Sequence, residues 1–165
     1  MKNFYTLNPG EFFVAQELRK QEKDLQIFLP LKDIGTDLLA IGPKTRHICR
    51  IQVKESRYYG TGERHAHSWH TVAKKKLKRD TADIFVFVTY VLIGKGKKKG
   101  FQQEYIVIPR KKLLNICRHK KLVKRKSYAF YFSFQDKKVL DIREDRNKGI
   151  NFTKYHNKWD LIKQI

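Results

Sequence analysis

Acidic residues are scarce in this sequence. Its 165 residues hold 16 Asp and Glu against 37 Lys and Arg, a formal net charge of +21 at pH 7. Cysteine is scarcer still: Cys49 and Cys117 are too few for a disulfide-stapled scaffold. No apolar run has the length of a membrane span. Met1 to Phe13 contains a proline and a glycine and no signal-peptide hydrophobic region. There is no repeat and no low-complexity linker, so one domain is expected over 1–165. What is present argues for a packed core: the chain is 41% hydrophobic, with eleven Phe and eight Tyr. That excludes a disordered basic tail, and a chain of this length buries roughly 70% of its extended surface. The expectation is a cytoplasmic, nucleoid-associated protein whose charge is met by a polyanion rather than by a membrane.

The charge is unevenly distributed. Residues 1–56 carry 9 basic and 7 acidic side chains; residues 57–126 carry 20 and 4, a local net charge of +16; residues 127–165 carry 8 and 5. The basic runs are Lys74–Arg79 (Lys74, Lys75, Lys76, Lys78 and Arg79), Lys95–Lys99 (with Lys97, Lys98 and Lys99), Arg110–Lys112 and Arg118–Lys126. Any one run reads as a solvated face. Four in seventy residues, interleaved with apolar strands, are expected to converge on one side and to hold a phosphate backbone. None forms a basic amphipathic helix of the kind that binds anionic membranes.

Asn8-Pro9-Gly10-Glu11 reads as a helix start, with Asn8 as N-cap and Glu11 placed for a capping box; the helix should run to about Lys23. Glu11 shares a stripe with Val14, Ala15 and Leu18. Strands are expected at Leu25–Leu29, Asp37–Ile41 and His47–Lys54, the last two as an antiparallel hairpin turning at Gly42-Pro43. Residues 56–70 read as a loop, with Tyr58, Tyr59 and Trp69 available to sugar or base. His65, His67 and His70 lack metal-binding spacing. A short basic helix over Ser68–Lys78, a doubly covered strand at Ala82–Ile93 and a strand at Gln103–Ile108 follow. A helix at about Lys111–His119, a hairpin of Tyr128–Phe134 with Lys138–Ile142 and a closing helix after Trp159 complete the order. It points to a mixed sheet with helices packed on it. Cys49 reads as a small core residue, Phe152 and Trp159 as packing anchors, and Asp33 as a turn residue.

Four residues of the first third can carry chemistry: Glu11, Asp37, Gln52 and Lys54. Gln52 and Lys54 lie two apart and share a strand face, and the hairpin can bring Asp37 opposite them. Two carboxylates, an amide oxygen and a main-chain carbonyl are hard donors suited to Mg2+ or Mn2+. A neighbouring ammonium can stabilise charge on a phosphate. The same residues also have plainer roles: Glu11 as capping partner, Gln52 and Lys54 as the polar face of an ordinary strand.

Gly10-Glu11, then Gly35-Thr36-Asp37-Leu38-Leu39-Ala40, then Ile51-Gln52-Val53-Lys54 together resemble the PD-(D/E)XK nuclease superfamily, which includes restriction endonucleases, Holliday-junction resolvases and some homing endonucleases. The resemblance covers about the first 55 residues. It implies a three-layer α/β/α sandwich around a central mixed β-sheet, Asp37 as the central metal ligand, Gln52 and the Val53 carbonyl as further ligands, Lys54 as the motif lysine and Glu11 as the auxiliary helix carboxylate. The second acidic position is Gln52, so the site has one negative charge fewer than the usual pattern. The function so implied is a divalent-metal-dependent DNA endonuclease acting as a homodimer or tetramer. The alternative is a catalytically inactive, basic nucleic-acid-binding module on the same fold.

Overall fold

The computed structural model describes residues 8–30, 35–42, 47–56, 66–79, 81–93, 100–120, 126–135, 138–143 and 149–163. The chain opens with helix α1, Pro9–Gln21. Asn8 enters it in an extended conformation, and Pro9 occupies the first turn, where a missing N–H costs nothing. The Glu11 carboxylate reaches back to Asn8, accepting from its main-chain N–H at 3.2 Å and its side-chain amide at 3.0 Å. The inward stripe is Gly10, Val14 and Leu18. Gly10 is required by a close approach: a Cβ there would stand 2.7 Å from a Glu55 carboxylate oxygen.

Strands β1 (Gln26–Phe28), β2 (Leu38–Ile41), β3 (Ile48–Ser56), β5 (Ile84–Ile93) and β6 (Gly100–Pro109) form a five-stranded sheet in the order β1-β2-β3-β5-β6. All its pairs are antiparallel except β3 with β5, so the sheet is mixed. The crossover between those two contains β4 (Ala66–Ala73) and α2 (Lys74–Arg79). β4 joins β7 (Ser127–Gln135), β8 (Lys138–Asp141) and β9 (Ile150–Asn151) in a second, antiparallel sheet. Helix α3 is Arg110–Arg118, a 3-10 turn spans Thr153–Tyr155, and α4 is Asp160–Lys163. No helix among the described residues is long and apolar enough to cross a membrane.

Two cores lie on the two faces of the five-stranded sheet. β5 supplies both, as expected of its continuous apolar run: Ile84, Val86 and Val88 point to one side, Phe85 and Phe87 to the other. The first core adds Val14 and Leu18 of α1, Cys49, Ile51 and Val53 of β3, and Trp159 and Ile162 at the closing helix. The second adds Leu77 of α2, Leu113 and Cys117 of α3, Phe130 and Phe132 of β7, and Phe152.

The chain is therefore mixed α/β, and most predicted elements are in place. α1 and the closing helix cover one face of the central sheet, and the second sheet with α2 and α3 covers the other. Two expectations need correction. Within residues 56–70, the segment from Ala66 on is strand rather than loop. The basic helix begins only at Lys74, because Ser68 to Ala73 pair with β7. Alternation explains β4: Ser68, His70 and Val72 are buried, while Trp69 and Thr71 are exposed. Lys97, Lys98, Lys99, His65, Tyr58, Tyr59 and Asp33 lie outside the described residues.

One basic residue is taken off the surface altogether. Lys120, 3% exposed, meets Asp141 at 2.5 Å, donates to the Ala129 carbonyl at 2.7 Å and lies over the Phe130 ring. The other Asp141 oxygen accepts from the main chain of Tyr131 and Arg143. The pair ties the end of α3 to the second sheet. Lys120→Met strands a buried carboxylate and should cost about 3–5 kcal/mol in urea denaturation. Adding Asp141→Asn, which removes the charge and keeps an acceptor, should restore most of that loss.

Candidate metal centre and basic face

The centre is set by two strands. Gly35 has φ of 85°, a left-handed turn that costs glycine nothing, and it delivers Asp37 to the start of β2. The Asp37 N–H donates to the Ile51 carbonyl at 2.9 Å, so Asp37 lies opposite Gln52. Asp37 Oδ2 accepts from the Val53 N–H at 2.6 Å and also from the Gln52 side-chain amide. The same amide nitrogen is 3.4 Å from the Val53 carbonyl oxygen. Asp37, Gln52 and Val53 thus converge; the hairpin is expected to bring Asp37 near Gln52 and Lys54, and the Asp37 carboxylate meets Gln52 and Val53. Gln52 is buried and Lys54 half-buried; both side chains lie on the strand face that carries Phe85 and Phe87 of β5.

Glu11 is placed differently. Helix α1 packs on the opposite face of β3, against Cys49, Ile51 and Val53, and the Glu11 carboxylate is engaged with Asn8. Its capping role is visible; a place beside Asp37 is not. Glu55, which no motif reading picked out, caps α1 from outside by accepting from Gly10 N–H at 2.6 Å. Among the described residues no group of three or more His, Cys, Asp and Glu is clustered for a metal. The donor set around Asp37 is instead one carboxylate, one amide and one carbonyl. Their oxygens are hard donors of the kind a small divalent cation takes, and the Gln52 amide, whose nitrogen faces Asp37 and the Val53 carbonyl, would offer its own oxygen only on turning over.

Two contacts invisible to motif reading frame this centre. Arg50, on the same face as Gln52, holds Asp83 at the start of β5 bidentately, donating from Nε at 3.0 Å and from Nη2 at 2.9 Å. The Asp83 carboxylate also accepts from the Arg50 main chain. Burial alone would raise the Asp83 pKa, but these bonds and the Arg50 and Arg110 charges outweigh it and hold the carboxyl below its ordinary value. Behind Lys54, His70 is buried against Phe87 and Phe132, with Nε2 3.2 Å from Ser68 Oγ and 3.3 Å from Thr89 Oγ1. Burial pushes the His70 pKa down to about 3, with the Lys54 main chain opposing the fall. His70 is thus a neutral core residue, not a loop residue beside DNA. Pairing of strands distant in sequence was the missing signal in both cases.

Among the described residues, the α2 run lies beside the start of α3 and beside Lys126. α2 presents Lys75, Lys76, Lys78 and Arg79 to solvent, with Lys74 half-buried over the Tyr128 ring. The Lys74 N–H donates to the Lys126 carbonyl at 3.0 Å, and the Arg110 guanidinium reaches the Leu77 carbonyl at 3.4 Å. Exposed Lys111 and Lys112 follow on α3. The C-terminal side of α2 leads directly to the centre, because Thr81 Oγ1 lies 3.2 Å from Thr36 Oγ1, next to Asp37. Trp69 remains exposed, with the Arg143 guanidinium 4.7 Å over its ring.

No family model, curated protein or solved structure matches the chain.

Because the Asp83 pKa is depressed in the folded state, the stability it contributes is present above the unfolded pKa and lost as pH falls through the folded one. Thermal unfolding midpoints should therefore drop as pH is lowered from about 5 to about 2. Asp83→Asn should show a shallower acid-side drop, from a lower starting stability.

Proposed function

We propose that the chain is a divalent-metal-dependent endodeoxyribonuclease of the PD-(D/E)XK kind, in a Gln-x-Lys form, with a restriction-endonuclease-like α/β/α core. The observation that carries the reading is the convergence of Asp37, the Gln52 amide and the Val53 carbonyl at the meeting of β2 and β3. The mixed five-stranded sheet with α1 against it is compatible with such a core. The basic face that leads to Thr36 gives a duplex somewhere to lie.

Asp37 and the Val53 carbonyl would hold Mg2+ or Mn2+, with Gln52 contributing its amide oxygen. Such an ion supplies Lewis acidity and a water of lowered pKa. Asp37 provides the one carboxylate of the set and is oriented for it by the Val53 N–H. Lys54, two residues along the same strand face, neutralises charge building on the phosphate oxygens and orients the attacking water. Lys75, Lys76, Lys78, Arg79, Lys111 and Lys112 grip the phosphate backbone of double-stranded DNA. Paired subunits, as a homodimer or tetramer, would present one such centre to each strand. Glu11, held by Asn8 across the sheet from Gln52, has no part in this scheme.

A second reading, a DNA-binding module without catalysis, draws on one specific observation: a single carboxylate serves the donor set. Incubation of supercoiled plasmid with the chain and Mg2+ or Mn2+ separates the two. Nicking or linearisation is expected, with Asp37→Ala and Lys54→Ala each slower by about 100-fold or more. Equal cutting by the variants removes catalysis from this centre. Binding without cutting across many DNA substrates favours the module.

Under either reading the logarithm of DNA affinity should fall linearly with the logarithm of salt concentration. Neutralising Lys75, Lys76, Lys78 and Arg79 together should flatten the slope by up to about 3–4. A slope that is flat in the unmodified chain overturns both readings.

A further inference from the structure

Gln52 is 5% exposed, and its amide nitrogen faces both Asp37 Oδ2 and the Val53 carbonyl. These are the two donors assigned above to a cation. A side-chain amide has two faces: the nitrogen offers two N–H donors, the oxygen accepts. With nitrogen inward, partial positive charge meets a carboxylate and a carbonyl, which is what a cation would do there. With oxygen inward, an acceptor is pressed against a buried carboxylate, a costly arrangement unless a positive charge stands between them. The neighbours select the nitrogen-inward state.

We propose that Gln52 is a built-in substitute for the divalent cation. Its amide holds Asp37 and the Val53 carbonyl together in the metal-free protein, and an ion enters only as the amide reverses to present its oxygen. The inference rests on the metal-site reading above and deepens it. Two consequences follow. The metal-free fold is complete, because the Gln52 amide and the Val53 N–H already supply partial positive charge to Asp37 Oδ2. Metal affinity is reduced by the fraction of chains whose amide is reversed. Glutamate at position 52 has the opposite character: it has no N–H to offer Asp37 and two oxygens to offer a cation.

The test uses the full chain without DNA. Thermal unfolding is followed in EDTA and in about 1 mM Mn2+, and Mn2+ binding is measured by calorimetry. The unmodified chain should melt at nearly the same temperature in both. Gln52→Glu should melt lower than the unmodified chain in EDTA, recover in Mn2+, and bind Mn2+ at least about tenfold more tightly. Adding Asp37→Asn to Gln52→Glu should abolish the recovery. Gln52→Glu that is as stable as the unmodified chain in EDTA overturns the proposal. So does a Mn2+ response that survives Asp37→Asn.

Because Gln52→Glu can fail to fold, a second measurement uses the unmodified chain. In EDTA the assigned Gln52 side-chain N–H pair should exchange slowly with water in NMR spectra. Saturating Mg2+ should shift that pair and speed its exchange. An N–H pair that Mg2+ leaves unchanged, in a chain that calorimetry shows to bind Mg2+ at Asp37, overturns the stand-in role alone. Plasmid cutting that requires metal and Asp37 then leaves the nuclease reading intact. Absence of any divalent binding in the unmodified chain and in Gln52→Glu removes both.

Discussion

The parallel register that sets Gln52 beside Phe85 and Val53 beside Val86 constrains where everything else can lie. β3 alternates between an apolar face of Cys49, Ile51 and Val53 and a polar one of Arg50, Gln52 and Lys54. β5 is apolar on both. Helix α1 can cover only the apolar face of β3, so the candidate chemistry must emerge on the other. That separation explains why Glu11, which shares a helical stripe with core residues, is nevertheless on the wrong side of the sheet from the Gln52 amide. It also explains why the second sheet packs where Phe85 and Phe87 lead it.

Local patterns were the readable part of this chain. The α1 start, the β2–β3 hairpin, the long β5, the β6–α3 break at Pro109 and the β7–β8 hairpin all follow from signals contained within some twenty residues. The meeting of Asp37 with Gln52 belongs with them, since a hairpin joins strands next to each other in sequence. β4 was not legible in this way. His67, Ser68 and His70 are polar enough to read as loop, and the groups that satisfy His70 include Thr89 on a strand reached only through the crossover. The Arg50–Asp83 pair likewise needs the β3–β5 register before it can be seen. Lys120 sat in a basic run and gave no sign of its buried partner, which lies 21 residues on.

The charge excess proves to have an internal order. Part of it is structural, as at Lys120. Nine of the 37 Lys and Arg ride on α2 and α3, two short helices that flank the second sheet and are anchored inward by Leu77, Leu113 and Cys117. β6, by contrast, carries no Lys or Arg from Gly100 to Pro109. Its Glu104 holds the C-terminal segment through His156 at 2.6 Å and Asn157 at 3.0 Å. Among the described residues, α2 and α3 thus carry exposed cations, while β6 serves to close the fold.

The outer part of the five-stranded sheet has a different character from its middle. β1 is three residues long and stands at the sheet edge, and Phe28 and Ile48 are about half exposed on the face away from α1. Covered among the described residues on one side only, β1 and β2 form a thin wing beside the thick, doubly packed β3–β5 pair. Local opening free energies follow such differences in burial, so amide hydrogens of the wing are the ones that exchange first. Asp37 belongs to the wing and Gln52 to the thick part. Partial unfolding of the wing therefore takes the centre apart while both cores stay closed, and the integrity of the centre is governed by the least protected strands of the sheet rather than by the stability of the whole.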